Sequence, residues 1–152
     1  MKKFAVFCLV LGLLCAAAVG GYILTSKPAA VYSVVYAPAD DALYAEAQNL
    51  SELKLQEKSK YRVCSITLDL TFYSPFKAEW MTFTPVLEEG DVLIEGTGFG
   101  PGDVDAFGKK TITATILTRS DALRSARLEY YLFGRYHSIV FTEDLSAPES
   151  AQ

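Results

Sequence analysis

The stretch Tyr61-Arg62-Val63-Cys64-Ser65-Ile66-Thr67-Leu68-Asp69-Leu70-Thr71-Phe72-Tyr73 decides the fold. Cys64, Ile66, Leu68, Leu70 and Phe72 share one parity; Ser65, Thr67, Asp69 and Thr71 share the other. A period of two held over that length marks a strand with one buried face, which a helix cannot produce. Ser74-Pro75 closes it. Downstream, residues 79–87 read as a second strand around Trp80, Met81 and Phe83, Glu89-Gly90-Asp91 as a turn, and Val92-Leu93-Ile94 as a third strand. Residues 96–108 hold five glycines and a proline and read as a long loop. The Thr- and Ile-rich residues 110–118 form the next strand.

The end of the chain reads as a hairpin. Gly134-Arg135 suits a two-residue II′ turn, with glycine at the first central position. That turn pairs Phe133 with Tyr136, Leu132 with His137, Tyr130 with Ile139 and Leu128 with Phe141. The apolar positions of both arms then share a face, which a slip of one residue would scramble. Upstream, residues 29–50 read as a spacer. It carries a short extended run, Val31 to Tyr36, and a helical turn opened by Asp40-Asp41 with Leu43, Ala47 and Leu50 on one face. Leu53 and Leu55 alternate with charged residues, as in a short edge strand. Six or seven strands joined by short turns and one long loop predict a mainly β chain. Its fold is a single antiparallel β-sandwich over residues 51–146, with a disordered tail at 147–152.

The order of these strands resembles an immunoglobulin or fibronectin type III module. Cys64 stands where the first core cysteine of an immunoglobulin domain would stand, Trp80 follows at a suitable separation, and Leu132 replaces the partner cysteine. Residues 66–117 also resemble the water-stress/late-embryogenesis type of sandwich. There, too, a long apolar strand ends at a proline step (Ser74-Pro75 here), and a glycine-bearing loop precedes a Thr-rich strand. The resemblance implies an immunoglobulin-like sandwich and no particular activity.

Ahead of the domain, residues 4–24 carry no charge and lie between Lys2-Lys3 and Lys27. As a helix they span roughly 30 Å, the thickness of a bilayer's hydrocarbon core. Phe4, Phe7, Leu11, Leu14, Ile23 and Leu24 are among its lipid-facing anchors. The lysine pair predicts a cytoplasmic N-terminus and a domain outside, as in a single-pass membrane protein. A cleaved signal peptide is the alternative, with Ala16-Ala17-Ala18 as an A-x-A site and a secreted product. The apolar run continues past that site through Tyr22-Ile23-Leu24, which favours the uncleaved anchor. Leu14 is too large for the residue before a lipidated Cys15.

From Lys27 onward the chain holds twelve basic residues against eighteen acidic ones, a net charge of −6. That sign argues against nucleic acid as a partner and against long-range attraction to an anionic lipid surface. Cys64 is the one cysteine of the domain, so no disulfide can form within it. Its inward parity reads as a packed side chain. Asn49-Leu50-Ser51 is a formal glycosylation sequon, relevant only in a secreting eukaryote.

Catalytic signals are sparse. With one histidine, His137, no histidine-based metal cluster can form, and its place at the rim of the core face suits a structural role. The sequence holds no G-x-S-x-G elbow, P-loop or H-E-x-x-H helix. Glu88, Glu89, Asp91, Asp103 and Asp105 could offer oxygen ligands to Ca²⁺, but their spacing is not that of an EF-hand. These features predict no catalytic residue, no metal and no cofactor. They favour a binding or structural module facing another envelope or cell-surface protein over a metal-dependent or hydrolytic enzyme built on the acidic, glycine-rich loop. The candidate contact residues are Tyr131, Phe133, Arg135 and Tyr136, three aromatics and an arginine at one hairpin end. Two competing readings treat Phe133 and Tyr136 as a cross-strand pair that stabilises the hairpin, or have residues 31–36 fold over this face.

Overall fold

The computed structural model describes residues 2–51, 55–95 and 102–143. It is a mainly β chain with two antiparallel four-stranded sheets, preceded by one apolar helix. Helix α1 (Lys2–Thr25) is long and apolar enough to cross a membrane, a property signal sequences share. Phe7, Leu11, Leu14, Ile23 and Leu24 stand exposed along it, and the side chain of Phe4 lies outside the described part.

The first sheet runs β1 (Ala29–Pro38), β2 (Arg62–Thr71), β6 (Lys109–Thr118), β4 (Val92–Glu95). The second runs β5 (Gly102–Val104), β3 (Ala78–Pro85), β7 (Ser125–Leu132), β8 (Arg135–Thr142). Strand β2 is the keel, with Cys64, Ile66, Leu68, Leu70 and, just past its end, Phe72 buried as their parity requires. They meet Met81 and Phe83 of β3 and Ala126, Leu128, Tyr130 and Leu132 of β7 in one core. A fully buried Leu or Phe contributes about 1.5–3 kcal/mol, so this inter-sheet layer is the main source of stability.

The expected spacer at residues 29–50 holds both a strand and a helix. β1 pairs with β2 over its whole length, from Ala29 opposite Thr71 to Pro38 opposite Arg62, and forms an edge of the first sheet. Helix α2 (Asp41–Leu50) is capped by Asp40, whose Oδ1 accepts from the Leu43 amide at 2.7 Å. Ala47 is buried in a second cluster with Val63 and Leu117, against which Leu43, Tyr44 and Leu55 pack. Leu50 is exposed instead of joining that face, and Leu55 is not in a strand. Leu53 lies outside the described residues, as do residues 96–101 of the expected long loop and the tail at 147–152. The far end of that loop is the short strand β5, paired with β3.

The hairpin forms in a different register. The turn is Phe133-Gly134, both with positive φ (50° and 69°), and it pairs Leu132 with Arg135, Tyr131 with Tyr136, Tyr130 with His137 and Leu128 with Ile139. This is a slip of two residues from the expected pairing. It leaves every side chain on its expected face, so alternation of apolar residues cannot separate the two registers.

Candidate functional site

Four places concentrate polar or exposed aromatic chemistry. The first is the outer face of the second sheet. Tyr131 and Tyr136 face each other across β7 and β8 with ring centroids 5.7 Å apart, 42% and 54% exposed. Glu129 accepts a hydrogen bond from the Tyr136 hydroxyl and pushes the phenol's pKa upward. Beside them an open cleft of about 440 Å³ is lined by Glu79, Trp80, Tyr131 and Gly134.

Trp80 is not in the core. Glu79 pairs with Tyr131 but Thr82 with Glu129, so β3 carries one extra residue there, a β-bulge. Trp80 sits in it with φ 51° and is 78% exposed. Sequence parity already held this signal: Met81, Phe83 and Pro85 alternate inward, which sets Trp80 with Thr82 and Thr84 on the other side. Cys64 is fully buried near Arg124, which precedes β7, whereas Leu132 lies at the far end of β7 opposite Ala78. Burial pushes the Cys64 thiol's pKa up, which keeps it protonated and unreactive.

The second place is the joint between α1 and the sandwich, where Phe133 and Arg135 are found. Tyr22 donates to the Leu132 carbonyl at 3.1 Å and lies 3.1 Å from Nε2 of His137. The hydroxyl has one proton; donated to Leu132, it leaves a lone pair for an Nε2–H. Tyr130 is buried and donates to the Ser26 carbonyl at 2.7 Å, and His137 stacks on its ring at 5.2 Å. Phe133 packs 4.7 Å from Phe76, both rings lie beside Tyr22, and Arg135 stands over the Tyr22 ring at 5.8 Å. Burial pushes the pKa of Tyr130 up to about 12. The pKa of His137 is lowered, first by burial and then by the charges of Arg135 and Lys27. The structure therefore divides the four candidate contact residues, with Tyr131 and Tyr136 on the open face and Phe133 and Arg135 at the helix.

The third place was not foreseen. Arg124 and Asp91 form an ion pair at 2.5 Å with both side chains 1% exposed. Arg124 Nη2 also donates to Thr118 Oγ1 at 2.6 Å, and the Arg124 amide donates to Glu143 Oε2 at 3.1 Å. Arg124 Nε and Asp91 Oδ1 have no partner among the described residues. Asp91, considered above as a loop ligand, is thus committed to a buried guanidinium.

The fourth is the acidic loop. Asp103 is bound to Lys77 at 2.5 Å and accepts from the Trp80 amide, and these contacts hold its carboxyl below the usual carboxylate range. Among the described residues no three His, Cys, Asp or Glu side chains converge as metal ligands would.

Comparison with known proteins adds no family to this geometry. No protein-family model matches the chain, nor does any curated protein.

Proposed function

We propose that this chain is a membrane-anchored, extracytoplasmic binding or structural module, with α1 as an uncleaved single-pass anchor and its N-terminus cytoplasmic. Its partner is another envelope or cell-surface protein, met through the Tyr131–Tyr136 face. The immunoglobulin or fibronectin type III resemblance belongs to this reading. The order β1-β2-β6-β4 over β5-β3-β7-β8 supports it, because immunoglobulin domains likewise split consecutive strands between two sheets. The outward Trp80 and the lone Cys64 of the sandwich depart from the immunoglobulin core pattern.

The observation that carries the reading is α1, whose exposed apolar surface is long enough to cross a membrane and whose end is joined to the sandwich. The last turn of an apolar helix is hydrogen-bonded into the sandwich through Tyr22 and Ser26, which holds the domain in one orientation beside the helix end. The outer sheet face stays open, and its exposed tyrosines supply contact area at low entropic cost. The test is a double substitution, Tyr131→Ser with Tyr136→Ser, in full-length protein captured from detergent-solubilised membranes. Capture should be lost while the melting temperature changes little, since a cross-strand aromatic pair contributes under about 1 kcal/mol. Lower melting with capture intact would assign the pair to hairpin stability and sink the proposal.

A further inference from the structure

Three non-glycine residues among those described have positive φ: Trp80 (51°), Phe107 (56°) and Phe133 (50°). All three are bulky aromatics, and all three are exposed, at 78%, 65% and 70%. Left-handed backbone is costly for such residues. In each case it displays a large apolar ring to the outside.

These residues also share one end of the sandwich. The Phe107 amide donates to the Ser74 carbonyl at 3.0 Å and the Phe72 amide to the Gly108 carbonyl at 2.9 Å, which ties the turn at residues 105–108 to the loop at 72–77. Phe76 of that loop touches Phe133 of the hairpin turn, and both touch Tyr22. Trp80 lies two residues into β3 from Ala78, about 7 Å along the strand. Tyr22 falls within the membrane-capable span Val6–Thr25. Whatever level the last turn of α1 occupies, Phe76 and Phe133 occupy it too.

We infer that Trp80, Phe107 and Phe133, with Phe76, form a collar that inserts into the lipid headgroup region around the exit of α1. The inference rests on the anchor reading above. A headgroup zone extends about 5–8 Å beyond the hydrocarbon core on each side, which brings Trp80 within reach when Phe133 sits at the core boundary. Trp is enriched at that boundary because its amphipathic ring sits at headgroup level, and Phe is a common apolar residue of segments that lie there. Lys27, Lys109, Lys110 and Arg135 lie close in sequence to the helix exit or to these rings, and Lys77 beside Phe76 is ion-paired with Asp103. The domain's net negative charge does not oppose this contact, because the rings partition into neutral lipid and the helix already holds them there.

Trp80 is the chain's only tryptophan, so it reports its own depth without mutation. Full-length protein is reconstituted into phosphatidylcholine vesicles carrying bromine either near the headgroup or deep in the acyl chain, and Trp80 fluorescence is measured. No partner protein is present to shield it. The expected result is quenching severalfold stronger with shallow bromine than with deep bromine. It should weaken in the Phe107→Gly, Phe133→Gly double variant, whose glycines accept positive φ and whose melting is measured alongside to show that it is folded. Vesicle flotation is scored in parallel. Protein that floats while Trp80 fluorescence matches that in unbrominated vesicles overturns the collar and leaves the anchor standing. Quenching that persists undiminished in the double variant also overturns it, and protein that fails to float overturns the anchor and the collar together.

Discussion

Arg124 and Asp91 show how much a single pair of residues can decide. Two charges buried together are costly to desolvate, and the ion pair with Thr118 and Glu143 around it offsets that cost only while both partners are present. We expect Arg124→Ala or Asp91→Ala alone to lower stability by about 3–5 kcal/mol, because each leaves the other charge buried and unpaired. The double variant Arg124→Met, Asp91→Leu should recover most of that loss. Chemical denaturation of the three variants checks this; a double variant no more stable than the singles would show that the charges themselves are required. None of this was legible in the sequence, because 33 residues separate the partners and only closure of the two sheets brings them together. Tyr131 and Tyr136 were legible, since their outward face follows from strand parity alone.

Elements explain why the hairpin face was predictable and its register was not. A glycine at position 134 suits either the first place of a II′ turn or the second place of a I′ turn, and the two differ by a slip that conserves parity. The structure takes the second, at the expense of positive φ for Phe133, and thereby sets His137 opposite Tyr130 and beside Tyr22. His137 meets burial, Arg135 and Lys27 there, which lower its pKa below the unfolded value of about 6.5. The unfolded chain therefore binds the proton first as pH falls. The joint's stability is complete above about pH 6.5 and is lost as pH drops below it. The melting temperature of full-length protein in detergent should fall as pH drops below about 6.5 more than that of His137→Gln, whose side chain does not titrate in this range. Parallel curves for the two proteins would show that His137 carries no linkage. Arg135→Gln should reduce the dependence by removing one of the two repelling charges.

At the scale of the whole molecule, the sandwich and the helix follow different solvents. The sandwich closes its apolar faces against each other, and the alternation in β2 made that readable from sequence. Helix α1 buries none of its apolar window against the domain, and its row of exposed leucines, valines and phenylalanines far exceeds what a water-facing surface tolerates. Such a surface must be covered by lipid or removed. Cleavage after Ala18 would remove most of it yet leave Tyr22 and Ser26 in their joint, so the fold of the domain is compatible with either outcome and the decision rests on the helix itself. Eleven Phe, Val, Ile or Leu residues within residues 4–24, each favouring the bilayer centre by roughly 0.3–0.6 kcal/mol, make insertion strongly downhill. The apolar run also persists past the cleavage pattern to Leu24, where a signal peptide would turn polar. We therefore expect intact-mass measurement to find the full-length chain in the membrane fraction, resistant to carbonate extraction. Protease added from outside should digest the sandwich and spare a fragment containing residues 4–24. A soluble product beginning at Val19 would instead make α1 a signal sequence and the domain a secreted one.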